Sequence, residues 1–359
     1  LKQLSSPLVS VIILTRNRKK DLIRTLSSVS KQTYPNLEII VVDNASTDDS
    51  IKIISAKFPS ITIISLPINI GIAGWNIGLK KAHGKYCVML DDDCFISPNW
   101  ILNMVKFMEK FPKIAAVSGK VINGFTGKIE WYFTRSKEFE SKLFLTSQFH
   151  GAAVAFRTSL LRDVGGYPSM YFICEAELPL AAKFISRNFY VAYYPYLVAF
   201  HFRRGVRFLS VSNSSFFFGT RNTLLNHLRF FTGARLIFGV AITIITYFSI
   251  SILNFKIKVF VQAVASTISL SMKYEEKTSK IPKKFDDYSI VIIRRAIDEL
   301  SSFLSRRSSV QQHMYYSNYK ILLLTGNNTI PFSHSKPSVF TSNRGVGFCG
   351  SDPLWKYQQ

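Results

Sequence analysis

Short apolar runs alternate with helix-spaced segments along the first part of the chain. Val9-Ser10-Val11-Ile12-Ile13-Leu14 reads as a buried strand, because both faces of a parallel strand are covered. Leu22, Ile23, Leu26 and Val29 then recur at helical spacing between Lys19 and Gln32. Glu38 to Val42 predicts the next strand, with Asp43 at its carboxyl end. Asp48 to Phe58 predicts a helix opened by a Ser/Thr/Asp cluster able to cap it. Ile61 to Leu66 and Tyr86 to Leu90 predict two more strands, separated by a helical segment from Gly74 to Ala82. Strand and helix in alternation with short connections imply an α/β fold with a mostly parallel sheet and crossover helices. Polar residues gather where these strands end, which is where open α/β sheets bind ligands.

Composition narrows the picture. Apolar residues make up 47% of the 359, which excludes a disordered chain. Lys and Arg number 45 against 22 Asp and Glu, a net charge of +23 that suits a phosphate-rich partner. With 30 Phe and only 19% charged residues, an anionic membrane surface is a better match than nucleic acid, for which no motif is present. No Asp or Glu occurs between Leu178 and Tyr274, while 11 Lys and Arg do. Residues 1–205 are therefore expected to form the catalytic α/β domain, 206–272 a basic, apolar attachment region, and 273–359 a segment of unassigned role. The four cysteines, Cys87, Cys94, Cys174 and Cys349, show no paired or metal-ligand spacing, so a reducing compartment is expected.

The candidate chemistry sits at the strand ends. Asp91, Asp92 and Asp93 repel one another, and hard carboxylate oxygens suit Mg²⁺ or Mn²⁺ as the compensating charge. On an extended chain Asp91 and Asp93 point the same way and can serve one site. The alternative is a solvated turn that caps the helix near Pro98. Asp43 and Asn44 follow one earlier strand and Thr15, Arg16 and Asn17 follow the first, so polar side chains recur along one sheet edge. The stretch Asn69 to Gly78 carries Gly71, Gly74 and Gly78 and can let backbone approach a diphosphate, but it has neither dinucleotide-fold nor P-loop spacing.

Together these motifs resemble the successive signatures of family 2 glycosyltransferases, nearest to the rhamnosyltransferase and galactofuranosyltransferase-like branch. The resemblance rests on Val11-Ile12-Ile13-Leu14-Thr15-Arg16-Asn17, Val41-Val42-Asp43-Asn44, the Asn69/Gly71/Gly74/Asn76/Gly78 stretch and Leu90-Asp91-Asp92-Asp93. It extends over roughly residues 8–235 and implies the GT-A fold. It also implies that Thr15, Arg16, Asn17, Asp43, Asn44, Asn69, Gly74, Asn76, Asp91 and Asp92 line the nucleotide-sugar site, with Asp43 on the nucleobase. Asp91 and Asp93 would hold the metal on the diphosphate, with His201 as a third ligand. Gly151, Gly165 and Gly166 would lie on the acceptor side, and Arg221-Asn222 resembles an Arg-Asn pair that follows the catalytic domain.

The chain also departs from the family pattern. Pro168 follows Gly165-Gly166-Tyr167 where an acid is usual. Across 176–183, Ala176 and Pro179 replace acids and Lys183 replaces an Arg, leaving Glu177 on the position of the catalytic base. Glu175 is the alternative base, and a dipole-stabilised helix start is the structural alternative for both. The departures leave open a non-catalytic sugar-nucleotide-binding partner of an active transferase. Arg203, Arg204 and Arg207 can neutralise a diphosphate or touch anionic lipid.

Leu236 to Phe255 is 20 residues without a formal charge, flanked by Arg229 and Arg235 before and Lys256 and Lys258 after. Basic residues on both sides favour a helix in the membrane interface, or a shallow hairpin, over a single span. A buried core helix is the third reading. The expected activity is inverting sugar transfer from a nucleotide-diphosphate sugar to a saccharide or lipid-linked acceptor. It would take place at the cytoplasmic face of the cell membrane, with no nucleic-acid partner.

Overall fold

The computed structural model describes residues 6–130, 141–202 and 212–273. The expectations for Arg203, Arg204, Arg207 and 273–359 therefore fall outside the described residues, apart from the backbone of Lys273. Strands β1 (Val9–Thr15), β2 (Leu37–Asp43), β3 (Thr62–Ser65) and β4 (Tyr86–Asp91) lie in the order β3-β2-β1-β4, all parallel. Helices α1 (Lys19–Val29), α2 (Ser50–Lys57) and α3 (Gly74–Lys81) connect them. Each expected element is present, within a few residues of its expected ends. The cap on α2 comes from Asp48, whose Oδ1 accepts the N–H of Ser50 at 3.1 Å, and not from the residue at the cap position, Asp49.

The sheet continues past β4 into a mixed half. Helix α4 (Trp100–Lys110) precedes β6 (Ile114–Asn123), and β8 (Ala153–Arg157) is followed by α5 (Thr158–Asp163) and α6 (Glu177–Ile185). Strand β8 runs antiparallel between β4 and β6. The long strand β9 (Tyr190–His201) pairs parallel with β6, while the short strands β5 (Cys94–Ile96) and β7 (Phe144–Thr146) pair antiparallel with opposite ends of β9. Among the described strands, β1–β4, β6 and β9 thus point one way and β5, β7 and β8 the other. The central strands are buried on both faces, and Ile12, Val42, Met89, Val154, Phe156 and Leu180 belong to one core with Trp75 and Tyr171. Helix α3 lies close over β1 because a Cβ at Gly74 would come within 2.5 Å of Leu14 Cδ1.

Three helices follow: α7 (Asn213–Phe230), α8 (Gly233–Leu253) and α9 (Ile257–Lys273). The inner face of α7 is polar yet buried, with Thr220, Arg221, Asn222, Thr223, Asn226 and His227 all inside. Helix α8 is patterned in reverse of a soluble helix. Its buried residues are Gly239, Thr243, Ile250 and Ser251, while Ile237, Phe238 and Ile245 are 68%, 66% and 65% exposed. This excludes the buried-core-helix reading, since only 22% of its most apolar stretch is buried.

The α7–α8 contact is close. His227 is fully buried, and a Cβ at Gly239 would overlap its imidazole. Burial lowers the His227 pKa to about 4, only partly opposed by the charge of Glu175. The ring is therefore neutral in the folded protein, whereas in the unfolded chain it titrates near the ordinary value of about 6.5. Its contribution to stability is complete above pH 6.5, falls as pH drops towards 4, and changes no further below that. The gap corresponds to about 3 kcal/mol. Urea unfolding at pH 7.5 and pH 4.5 is expected to show this acid-side loss, and His227→Leu is expected to remove most of it.

Candidate active site

Strand register assembles the site. Thr15 is level with Asp43 across β1 and β2, and Leu14 is level with Asp91 across β1 and β4. Thr15, Asp43 and Asp91 thus stand in one row at the carboxyl ends of parallel strands. One residue past Asp93, β5 begins and pairs with the end of β9, so that Cys94 lies opposite His201. That pairing carries His201, distant in sequence, onto the acidic triplet. Its Nε2 is 3.1 Å from Asp93 Oδ1 and 3.9 Å from Asp91 Oδ2. Asp91, Asp93 and His201 each offer one atom to a common point, as cation ligands would.

The three carboxylates have different surroundings. Asp92 and Asp93 are each 6% exposed, which excludes the solvated-turn reading. Asp92 accepts from Thr15 Oγ1 at 2.8 Å and from Arg18 at 3.1 Å. Arg18 also donates to Asp93 at 2.5 Å, and so bridges the two acids from the end of β1. Burial would raise Asp93, but the hydrogen bond and charge of His201, together with Arg18, hold it below the ordinary carboxylate value. Burial raises Asp92 to about 6 against the pull of Arg18. Desolvation and its two acidic neighbours raise Asp91 above the ordinary carboxylate value, with His201 opposing, while its side chain stays 41% exposed, which lessens the shift. His201 itself reaches about 10, because hydrogen bonds to Asp93 and Glu130 outweigh its burial. This electrostatic state calls for a further positive charge beside Asp91.

Other expected donor residues shape the cleft through protein contacts. Asn17 adopts φ 54° and joins the loop after β2, its Oδ1 accepting from Thr47 N–H at 2.7 Å. Arg16 is exposed at the rim. Asp43 is buried, and its Oδ1 accepts from Ser46 N–H at 3.0 Å. The Asn44 amide donates to Gly71 O at 3.0 Å and accepts from Ile70 N–H at 2.9 Å, tying the end of β2 to the glycine-containing loop. Asn69 Oδ1 accepts from Gly71 N–H at 2.9 Å within that loop. Asn76 donates to Tyr167 O at 2.7 Å and accepts from Tyr167 N–H at 2.9 Å. These amides position the cleft walls, and Gly74 serves the packing of α3 on β1.

Gly165 and Gly166 take φ 80° and 68°, which favour glycine, and a Cβ on Gly166 would overlap the Asn76 amide. The segment that follows enters α6 through two non-glycine residues of positive φ, Cys174 at 67° and Glu175 at 60°. Such backbone persists only where its surroundings enforce it. Here α7 holds its carbonyls. Arg221 donates to Met170 O at 2.5 Å, Asn222 to Ile173 O and Cys174 O at 2.8 and 2.9 Å, and Asn226 to Glu175 O at 2.9 Å. The Arg-Asn pair is therefore a backbone clamp.

At the far end of this segment Glu177 is the first residue of α6. A Cβ at Gly151 would lie 2.7 Å from its Oε1, so Gly151 makes room for the carboxylate. Burial, then the charges of Glu177 and Asp91, push the Tyr167 hydroxyl well above its ordinary value; both acids act on one phenol. The charge of Glu175 instead acts on Tyr171 and His227, on the α7 side. The departures from the family pattern have local reasons. Pro179 sits in the first turn of α6, where the missing N–H leaves no intrahelical bond unmade. Ala176 is buried in the core, and Lys183 donates to Val164 O at 3.0 Å.

Sequence reasoning missed Arg18 and Glu130. Arg18 directly follows the first strand-end motif, so its position was a usable signal. Glu130 has no motif around it.

A mixed, mostly parallel sheet with an acidic triplet at the end of its fourth strand defines the GT-A class. Residues 10–165 match the model of the family described as Glycosyl transferase family 2. An uncharacterized glycosyltransferase of Haemophilus influenzae is 41% identical over 115 residues, 31% of this chain and 36% of that protein. The Escherichia coli UDP-Glc:alpha-D-GlcNAc-diphosphoundecaprenol beta-1,3-glucosyltransferase WfaP is 42% identical over 105 residues, 28% of this chain and 41% of that protein. The chain thus spans about two fifths of the length of these relatives. Among solved structures, the mannosyltransferase PcManGT of Pyrobaculum calidifontis, in complex with GDP-Man and Mn²⁺, superposes with a TM-score of 0.51 at 20% identity. That match covers 83% of this chain and 88% of the other, and it supports the fold.

Proposed function

We propose that the protein is an inverting glycosyltransferase that moves a sugar from a nucleotide-diphosphate sugar to an acceptor hydroxyl. The observation that carries this reading is the convergence of Asp91, Asp93 and His201 at the strand ends, beside Asp43 and opposite Glu177. Asp91, Asp93 and His201 would hold Mg²⁺ or Mn²⁺, whose charge would offset that of the diphosphate. Asp43 would contact the nucleobase. Glu177 would take the proton of the acceptor hydroxyl as its oxygen bonds to the anomeric carbon. The bond from that carbon to the diphosphate breaks in the same displacement, which inverts the centre. The order of the motifs favours the rhamnosyltransferase and galactofuranosyltransferase-like branch. The lipid-linked substrate in the name of the E. coli relative supports a lipid-linked saccharide as acceptor, and hence a role in envelope polysaccharide assembly.

The outward apolar face of α8 supports attachment to the cytoplasmic leaflet. Val261, Ile268 and Met272 of α9 extend the exposed apolar surface, and Arg229, Arg235, Lys256 and Lys258 provide basic flanks for anionic headgroups. Helix α8 is long and apolar enough to cross a bilayer. Yet it packs along α7, where Tyr247 meets Gly219 and His227 meets Gly239, and this favours a helix lying in the interface.

Two outcomes test the reading. Glu177→Gln keeps size and shape but cannot take the proton, and general-base catalysis contributes about 10²–10⁴-fold. Turnover is expected to fall by that factor with donor affinity nearly unchanged, and Glu175→Gln is expected to lose far less. A large loss only at Glu175 would move the base by two residues. For attachment, Ile237→Asp, Phe238→Asp and Ile245→Asp combined are expected to release the protein from anionic vesicles in a pelleting assay. Burying one such side chain contributes about 1.5–3 kcal/mol, so each exchange is worth roughly tenfold or more in partitioning. Undiminished pelleting of the triple variant would place attachment elsewhere.

A further inference from the structure

Glu130 lies outside every motif in the sequence, yet it meets the acidic cleft from behind. Past the end of β6 the chain turns at Asn123, whose N–H donates to Lys128 O at 2.8 Å and whose Oδ1 accepts from Phe125 and Thr126 N–H at 3.1 and 2.9 Å. Ile129 then forms an antiparallel bridge with Ile122, and Glu130 N–H donates to Val121 O at 2.9 Å. This returning segment delivers the Glu130 carboxylate to His201, with Oε2 2.6 Å from Nδ1. Asn123 Nδ2 holds the other oxygen at 2.7 Å. The opposite ring nitrogen of His201, Nε2, faces Asp93 and Asp91.

A second imidazole approaches from the other side. His150 Nδ1 accepts the N–H of Ala152 at 3.2 Å, which leaves the proton on Nε2, 3.7 Å from Glu130 Oε2. Glu130 therefore stands between two histidines. A carboxylate on one imidazole nitrogen fixes which nitrogen carries the proton and which offers its lone pair, and it holds the plane of the ring. Without a cation both His201 nitrogens donate, Nδ1 to Glu130 and Nε2 to Asp93; a divalent cation at the point shared with Asp91 and Asp93 would displace the Nε2 proton, while Glu130 would keep the one on Nδ1.

We propose that Glu130 is a positioning residue for the cation site: it keeps the His201 proton on Nδ1 and aims Nε2 at a divalent cation held with Asp91 and Asp93. The proposal rests on the reading of those three residues as cation ligands. Loss of such a supporting partner typically weakens metal affinity about 10–100-fold. His150 Nε2 lies 3.7 Å from the same Glu130 oxygen, and His150 adjoins Gly151 and thus Glu177.

The test is a titration of the full chain with Mn²⁺ alone, following free Mn²⁺ by its spin resonance. Asp93→Ala and His201→Ala serve as references. Spin-echo modulation from an imidazole nitrogen serves as a second readout, one that a purely structural role would not move. Glu130→Ala is expected to weaken Mn²⁺ binding 10–100-fold and to reduce the nitrogen modulation that His201→Ala abolishes. Glu130→Gln keeps an acceptor oxygen but not the charge, and is expected to fall between wild type and Glu130→Ala. Should Glu130→Ala fail to fold, Glu130→Gln decides: weakened binding upholds the proposal and unchanged binding overturns it. Wild-type affinity and modulation in a folded Glu130→Ala, alongside losses in both references, would overturn the role of Glu130 alone. Unchanged binding in the references themselves would overturn the cation reading and this proposal with it.

Discussion

Three consecutive carboxylates at the end of a buried strand are the constraint on which the rest of the cleft depends. Adjacent acids in a water-poor setting repel, and each must be offset by a hydrogen bond, a positive charge or a proton. The fold meets this demand with residues drawn from distant points in the chain. Thr15 and Arg18 come from the end of β1 and hold Asp92, with Arg18 also reaching Asp93. His201 comes from the end of β9 and holds the other side of Asp93. Asp91 keeps the least direct compensation, with His201 Nε2 3.9 Å away and a side chain 41% exposed. A cation at the point shared by Asp91, Asp93 and His201 would complete the balance.

A second dependence runs through the segment between Gly165 and Glu177. On one side it is fastened to the glycine-containing loop: Asn76 grips Tyr167, and Ile72 N–H donates to Phe172 O at 2.9 Å. On the other side Arg221, Asn222 and Asn226 of α7 grip its carbonyls. The same α7 carries the outward-facing helices, with Thr267 of α9 donating to Arg221 O at 3.3 Å. The cleft wall, the carboxylate of Glu177 and the apolar outer surface are thus linked through one polar, buried helix. That link explains three of the buried polar side chains of α7, Arg221, Asn222 and Asn226: their partners are backbone carbonyls in an irregular segment, where no sheet or helix bond is available to them.

The parallel half of the fold was legible because buried strands and amphipathic helices leave periodic signals, and the strand ends were marked by Asp43 and Asp91. The mixed half was not, because β5 and β7 are three residues each and carry no period to read. Site residues divide the same way. Asp91 and Asp93 followed a strand-like run that marked them as strand-end residues, whereas a role for His201 came only with the family resemblance. Glu130 could not be placed, since its role exists only after the chain turns past β6 and bridges back to Ile122. Asn44 and Asn76 illustrate a further limit. Their residue type and position suited a ligand contact, but both side chains are engaged by backbone on a neighbouring loop, a pairing set by tertiary approach. The reversed pattern of α8 is a similar case: its length and apolarity were plain in the sequence, but which face turns inward depends on the ring of His227 meeting Gly239.

The central claim is that the acidic triplet, His201 and a divalent cation together serve a nucleotide-diphosphate sugar. The most direct test incubates the full chain with a panel of sugar nucleotides and a saccharide or lipid-linked acceptor, and follows release of the nucleoside diphosphate with Mn²⁺, with Mg²⁺ and with excess chelator. Release from at least one donor that requires the cation and stops in chelator is the predicted result. Release that persists undiminished in excess chelator, or no release and no binding of any donor at any cation concentration, would contradict the account.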